Sequence, residues 1–100
     1  MARTLEDIIA RLKTEEPGLR KLGICHLALF GSVVRGEERP DSDIDIAVDI
    51  EEGKSFSLFR MEDTRLRLEG ALGRSVDLGE VGSFKPQIRA AFERERVLVF

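Results

Sequence analysis

The pair Asp43 and Asp45 is the feature of this sequence whose residue types and spacing most directly suggest chemistry. Both lie in Asp-Ile-Asp-Ile-Ala-Val-Asp-Ile, whose strict alternation predicts a β-strand from Asp43 to Ile50. Side chains two residues apart on a strand point the same way, with Cα atoms roughly 6–7 Å apart. Because neighbouring carboxylates repel and strands disfavour aspartate, the pair indicates a divalent cation between them. Mg²⁺ fits, since it prefers carboxylate oxygens and accepts substrate phosphates as further ligands.

A third carboxylate is expected from a neighbouring strand, and Asp77 supplies it. It lies between Val76 and Leu78 in a predicted strand from Ser75 to Gly79, and it faces away from both neighbours. Three carboxylates could hold one or two Mg²⁺ ions against nucleotide phosphates, the arrangement used for in-line nucleotidyl transfer. Taken alone, an Asp-x-Asp pair is more typical of a solvent-facing strand edge, and the Gly31-Ser32 segment upstream is what favours the metal site. Asp49 shares the face but lies about 13 Å further along, where we expect a solvated strand end.

The segment before the aspartates has the features of a phosphate-binding turn. Gly31-Ser32 follows the apolar run Ile24–Phe30, which predicts a buried strand, and opens a very short helix bounded by Gly36. Backbone N–H groups at such a turn attract phosphate, glycine permits close approach, and the Ser32 hydroxyl can add a hydrogen bond. Ten residues separate Ser32 from Asp43, enough for the chain to return alongside the first strand. The turn is therefore expected to face the carboxylates.

Helices and strands alternate along the rest of the chain. Thr4 is expected to cap a first helix, and Pro17 to begin a short second one that ends at Gly23. A long helix is predicted from about Phe56 to Leu72, with one apolar face made of Leu58, Met61, Leu68 and Leu72. A last helix is predicted to begin near Pro86, and a strand Val97–Phe100 to close the chain. This order predicts an α/β or α+β fold, a sheet with helices packed against it.

Composition sets broad limits on the function. The 100 residues predict a single domain spanning residues 1–100, and 42% hydrophobic with 35% charged residues is globular composition. A net charge of −3 without a basic stripe argues against direct nucleic-acid binding. One cysteine excludes an internal disulfide and a cysteine-based zinc cluster. The sequence has neither a membrane-length apolar run nor a signal peptide, so we expect a cytoplasmic protein without membrane association.

The motifs resemble a known family. Gly31-Ser32, ten residues and then Asp43-Ile44-Asp45 is similar to the signature of the DNA polymerase β-like nucleotidyltransferase superfamily. The longer stretches Gly31–Gly36 and Ser42–Val48 resemble its smallest members, the minimal nucleotidyltransferases. The similarity continues through Gly73–Leu78 and Glu95–Phe100, with one departure at Val34, where a small residue is common. It implies the nucleotidyltransferase fold, with a small mixed β-sheet and helices packed against it.

The resemblance also implies roles for individual residues. Two groups follow from it: nucleotide-binding Gly31, Ser32 and Arg35, and catalytic metal ligands Asp43, Asp45 and Asp77. Asp77 would in addition assist deprotonation of the attacking hydroxyl. Arg35 would either neutralise phosphate charge or hold its loop by pairing with Glu37 or Asp41.

Partners follow from the same resemblance. ATP would be the substrate, Mg²⁺ the cofactor, and a helical HEPN-type toxin protein the acceptor within a hetero-oligomer. AMP would pass to a tyrosine of that toxin, which would make this protein the antitoxin. The length leaves no room for an acceptor domain, so a separate acceptor protein is expected. Two alternatives stay open: a non-catalytic module that neutralises its partner by stoichiometric occlusion, and a small-molecule adenylyltransferase, which would need an acceptor pocket.

The remaining polar residues are expected to be structural. Cys25 should behave as a small buried hydrophobe, His26 as a packed or edge histidine, and Arg39 as a solvated residue. Charges that alternate near the end of the chain predict a solvated face made of Lys85, Arg89, Glu93, Arg94, Glu95 and Arg96.

Overall fold

The fold is a small mixed sheet between two unequal layers, seen in a computed structural model that describes residues 4–39 and 41–100. Its helices are α1 (Leu5–Thr14), α2 (Glu16–Lys21), α3 (Ser32–Arg35), α4 (Leu58–Leu72) and α5 (Pro86–Glu95), and one 3₁₀ turn covers Val81–Ser83. Its strands are β1 (Ile24–Phe30), β2 (Ile44–Ile50), β3 (Val76–Glu80) and β4 (Val97–Leu98). Pro40, in the predicted loop between the turn and the aspartates, lies outside the described residues. None of the helices in the described ranges is long and apolar enough to cross a membrane.

Local sequence signals set most helix ends. The Thr4 hydroxyl accepts a hydrogen bond from the N–H of Asp7 at 3.0 Å, which confirms the predicted cap of α1. The Ser57 hydroxyl likewise accepts from the N–H of Arg60 at 3.1 Å, so α4 begins at Leu58 and not at Phe56 as predicted. Helix α4 ends where predicted, because Gly73 adopts the left-handed conformation that closes a helix.

The sheet has the strand order β3-β2-β1-β4. Strand β1 pairs antiparallel with both β2 and β4, whereas β2 and β3 run parallel. The mixture of directions confirms the predicted mixed sheet. It also brings the C-terminal end of β1 to the same edge of the sheet as the N-terminal ends of β2 and β3.

One face of the sheet forms the main core. Helices α1, α2 and α4 cover it, and its buried side chains come from alternate strand positions and from the facing helices, including Leu27, Leu29, Ile44, Ile46, Val48, Leu68 and Leu72. The predicted core face of α4 is right for Leu68 and Leu72 but wrong for Leu58, which is 88% exposed. Leu58 is the first residue of its helix. Helical periodicity predicts which way its side chain points, but not whether another part of the chain packs against it there.

The other face of the sheet carries a smaller cluster under α5. Ala28 and Ala47 form its floor, and Phe92 of α5 packs over them. Phe92 also meets the ring of Phe30 edge-on, with the ring centroids 5.4 Å apart. Aromatic packing therefore anchors α5 beside the last residue of β1.

Strand β1 departs in detail from the prediction of a strand covered on both faces. His26 is exposed and Cys25 is only half-buried. A register shift between Ile24 and His26 places Cys25 in a bulge, where its thiol donates to the backbone oxygen of Asp49 at 3.3 Å. The closing strand is also shorter than predicted, since it ends at Leu98.

Candidate active site

The predicted chemical residues meet at one edge of the sheet. Because β2 and β3 are parallel, their N-terminal ends share this edge. Strand β1 runs antiparallel to β2, so its C-terminal end, and Gly31 directly after it, lie at the same edge. Asp45 is therefore opposite Phe30 on β1 and opposite Asp77 on β3. The carboxylates and the glycine turn come from three separate segments, and the sheet topology brings them together.

Asp45 is the central residue of this edge. Neighbouring strands lie about 4.8 Å apart, so the aligned residues Asp45 and Asp77 are adjacent on one face. Asp43 directly precedes β2, and its charge acts on Asp45. Asp45 is half-buried, whereas Asp43 and Asp77 are exposed. The site therefore has one partly enclosed carboxylate flanked by two that solvent or a ligand can reach.

Gly31 lies against the carboxylate of Asp45. Its backbone has φ 76° and ψ −151°, a region that in practice only glycine occupies. A Cβ atom added there would overlap the Oδ2 atom of Asp45. The residue must be glycine on both counts, and this close approach puts the start of α3 directly beside the carboxylates. Ser32 and Val33 follow as the first residues of α3, whose N–H groups have no intrahelical partner.

The electrostatics of the edge are unbalanced toward negative charge. Burial, followed by the charges of Asp77 and Asp43, raises the pKa of Asp45 to about 6. The positive charge of Arg35 acts in the opposite direction but does not cancel these effects. A nearby cation would stabilise the ionised form of such a carboxylate.

The side chains at this edge are compatible with the predicted Mg²⁺. Within residues 4–39 and 41–100, no three aspartate, glutamate, histidine or cysteine side chains are arranged as a set that could hold a metal ion. Mg²⁺ does not need such a set, because proteins commonly hold it through one or two carboxylates while substrate phosphates and water complete the shell. The carboxylate oxygens and the excess negative charge at Asp45 fit that mode of binding. The assignment of Asp43, Asp45 and Asp77 as metal ligands stays a prediction.

Arg35 is held by two carboxylates at the end of α3. Its Nε donates to Oε1 of Glu37, and its Nη1 donates to Oε2 of Glu95 at 2.6 Å. These two partners raise the pKa of Arg35 above its usual value. The sequence predicts that Arg35 either neutralises phosphate charge or holds its loop through Glu37 or Asp41, and the pair with Glu37 is present. Glu95 was wrongly placed on a solvated face, since its side chain is only 21% exposed and pairs with Arg35.

A second arginine fixes the chain that leads into Asp43. The side chain of Arg74 is only 7% exposed, and it pairs with Glu38 at 2.8 Å. Its Nη2 donates to the backbone oxygens of Arg39 and Ser42, each at 3.3 Å. Sequence analysis missed this residue, because nothing in the local pattern around Arg74 indicates contacts more than thirty positions away.

Two polar residues from the sequence lie away from this edge. Asp49 pairs with His26 across β1 and β2, toward the far end of both strands. Both line a shallow pocket of about 190 Å³ together with Arg96. This location is consistent with the expectation that neither takes part in the carboxylate group.

Comparison with known proteins decides the family. A nucleotidyltransferase domain model matches residues 5–99. This chain belongs to the nucleotidyltransferase family. The protein adenylyltransferase MntA of Thermococcus cleftensis is 41% identical over 97 residues, which are 96% of each chain. The nucleotidyltransferase described here therefore takes a nucleotide as its donor substrate.

Solved structures give the same fold. A structure described as a minimal nucleotidyltransferase has a TM-score of 0.79 and 36% identity to this nucleotidyltransferase, covering 95% of each chain. A Shewanella oneidensis structure of a tri-AMPylated HEPN toxin in complex with an MNT antitoxin matches with a TM-score of 0.61 at 21% identity, covering 88% of this chain and 71% of that one. The fold predicted from the Gly-Ser and Asp-x-Asp motifs is thereby confirmed.

Proposed function

We propose that this nucleotidyltransferase transfers AMP from ATP to a tyrosine hydroxyl of a HEPN-type toxin protein, with Mg²⁺ as cofactor, and so acts as an antitoxin. The observation that carries the proposal is the alignment of Asp45 with Asp77, with the Gly31 turn against the Asp45 carboxylate. The 41% identity to a protein adenylyltransferase supports a protein acceptor.

The chain's own residues supply binding, orientation and a proton acceptor. N–H groups of the Gly31–Ser32 turn would hold the β- and γ-phosphates, and Arg35 would offset their charge. Asp77, exposed at the rim, would take the proton of the tyrosine hydroxyl. Asp43 and Asp45 would hold Mg²⁺ together with phosphate oxygens, and the ion would neutralise charge at the reacting phosphate.

The bond changes balance as an in-line displacement. The tyrosine oxygen forms a bond to the α-phosphorus while the bond from that phosphorus to the bridging oxygen breaks. Pyrophosphate leaves with the electron pair, and the proton of the hydroxyl moves to Asp77. Holding the donor phosphates and the acceptor oxygen in line is the main contribution of the protein.

Intact mass spectrometry of the partner tests the proposal. A HEPN-type toxin protein, the proposed acceptor, is incubated with ATP, Mg²⁺ and either wild type, Asp45→Asn or Asp49→Asn. We expect wild type and Asp49→Asn to add one or more adenylates and Asp45→Asn to add none. Asp49→Asn is the matched control, because it removes a carboxylate from the same strand about 13 Å away.

Two results would contradict the proposal. Equal modification by wild type and Asp45→Asn would exclude the carboxylate site. No modification by wild type, with a stable complex still formed, would favour neutralisation by stoichiometric occlusion. Peptide mapping after a positive result identifies the modified side chain and tests the tyrosine assignment.

A further inference from the structure

Arg35 is tied to the C-terminal helix by a contact that spans 60 positions of sequence. Its Nη1 donates to Oε2 of Glu95, the last residue of α5, at 2.6 Å. Glu37, the other partner, belongs to the same segment as Arg35 and is 60% exposed, whereas Glu95 is 21% exposed. Glu95 is therefore the more enclosed of the two anchors.

The helix that carries Glu95 has a fixed position relative to the turn. Phe92, one turn earlier in α5, is 4% exposed and packs edge-on against Phe30 at 5.4 Å. Phe30 directly precedes Gly31. The ring contact and the Arg35–Glu95 pair thus connect α5 to both ends of the Gly31–Arg35 segment, so the guanidinium is held from a rigid element.

The geometry of Arg35 leaves it able to bind an anion. A guanidinium has five N–H donors, and the two carboxylates use its Nε–H and one Nη1–H. Three N–H groups therefore have no partner among the described residues. The Arg35 side chain is also 47% exposed, and its positive charge lowers the pKa of Asp45. A triphosphate on the Gly31–Ser32 turn would be attracted by the positive charge of Arg35.

We infer that Glu95 is a positioning residue for the nucleotide, which holds the Arg35 guanidinium where it meets the triphosphate. The inference rests on the proposed assignment of the Gly31–Ser32 turn and Arg35 to nucleotide binding. The contact is to phosphates that already carry their negative charge in bound ATP, so it acts in the ground state as well as in the transition state. Loss of such an interaction raises KM and leaves kcat nearly unchanged.

Glu95→Gln tests the inference, with Glu93→Gln as the matched control. Both residues lie in the last turn of α5, but Glu93 is 60% exposed and, among residues 4–39 and 41–100, its ion pair is with Arg89 of its own helix. We expect Glu95→Gln to raise the Kd for Mg·ATP, and the KM for ATP, roughly tenfold, which is the effect of one charge-assisted hydrogen bond. The control should stay within about twofold, and Glu95→Asp should recover part of the loss.

A double-mutant cycle separates positioning from a direct effect. If Glu95 acts through Arg35, then Glu95→Gln should have no further effect on the Kd in an Arg35→Met background. The thermal midpoint without nucleotide should differ little between wild type and Glu95→Gln, because the pair lies near the surface. Full additivity of the two substitutions would overturn the inference.

Direct binding of Mg·ATP, measured by calorimetry without any acceptor, keeps the two proposals apart. Wild-type binding with an unchanged Kd in Glu95→Gln overturns the positioning role and leaves the proposed function standing. A raised Kd in Glu95→Gln supports the positioning role even when no acceptor is modified, a result that counts against the proposed function alone. Absence of wild-type binding overturns both.

Discussion

Asp45 lies directly opposite Asp77 in the parallel pairing of β2 and β3. Aligned neighbours of like charge destabilise a sheet, and the effect is strengthened here because Asp45 is half-buried. Burial and, after it, the charge of Asp77 raise the pKa of Asp45 to about 6. This edge of the sheet therefore gives up stability to keep the two carboxylates together, as is common at functional sites.

Asp45→Asn is expected to increase the free energy of unfolding at pH 7, measured in EDTA. An acid whose pKa is higher in the folded chain opposes folding above that pKa, because the unfolded chain ionises more readily. The pKa of Asp45 is about 6 in the folded protein, against about 3.9 for an unperturbed aspartate. Removing the charge should stabilise the fold by about 1 kcal/mol, a value reduced for the partial exposure of the side chain.

The stability gained in Asp45→Asn should depend on pH. The gain should be complete above pH 6 and should disappear as the pH falls toward about 3.5, where Asp45 is protonated in both states. Urea unfolding of wild type, Asp45→Asn and the control Asp49→Asn at both pH values measures it. A gain that is the same at the two pH values, or a loss at pH 7, would show that the charge of Asp45 is not the cause.

Gly31→Ala is expected to destabilise the protein and to abolish nucleotidyl transfer. The methyl group would overlap Oδ2 of Asp45, and the backbone at φ 76° and ψ −151° would be strained. Strain of this kind costs of order 1–3 kcal/mol, so we expect a loss of about 2–3 kcal/mol in urea unfolding together with displacement of the carboxylate.

Gly36→Ala is the control for backbone strain without the clash. Gly36 also has a positive φ of 72°, but nothing lies within 4 Å of a Cβ added there. We expect a loss of about 1 kcal/mol with transfer activity retained. Retention of full activity by Gly31→Ala would show that the contact between Gly31 and Asp45 is not required.

The sequence predicted the parts of the site that depend on local pattern. Strand β1 has the predicted bounds, Ile24–Phe30, because an apolar run of this length followed by glycine has few alternatives. Alternation placed Asp45 on the face opposite the core residues Ile44 and Ile46, and topology then aligned it with Asp77. The placement of Asp45 needed only the two-residue period of a strand, whereas its alignment with Asp77 depends on the pairing of β2 with β3.

The ion pairs around the site could not be predicted in the same way. Glu95 and Arg35 are 60 positions apart, and alternating charges on a helix normally indicate a solvated surface. Arg74 likewise contacts Ser42 across 32 positions. Such contacts depend on how elements pack in three dimensions, which neither periodicity nor capping signals encode.

Gly70→Ala is expected to stabilise the protein without affecting transfer. Gly70 lies inside α4, is exposed, and has open space where a Cβ would be. Alanine loses less conformational entropy than glycine when a helix forms, so the free energy of unfolding should rise by about 0.5–1 kcal/mol. Chemical denaturation measures the gain, and Mg·ATP affinity should be unchanged. A loss of stability would indicate that this side of α4 is covered by something other than solvent.

Arg74→Met is expected to lower both stability and the rate of transfer. Arg74 is the nearly buried cation that pairs with Glu38 and binds the backbone oxygens of Arg39 and Ser42, just before Asp43. Methionine keeps much of the side-chain volume but leaves Glu38 without this partner and the two oxygens without their donor. Breaking a buried pair on one side costs about 3 kcal/mol, which urea unfolding would detect.

The effect on transfer separates Arg74 from an ordinary structural residue. Since the arginine fixes the chain leading into Asp43, its loss should reduce kcat under conditions where the variant is fully folded. Gly36→Ala is the control for lowered stability, and it should keep the kcat of wild type. The double variant Glu38→Gln/Arg74→Met should recover part of the stability, because no unpaired carboxylate remains, but it should not recover kcat. If kcat returned together with stability, the role of Arg74 would be confined to holding the fold.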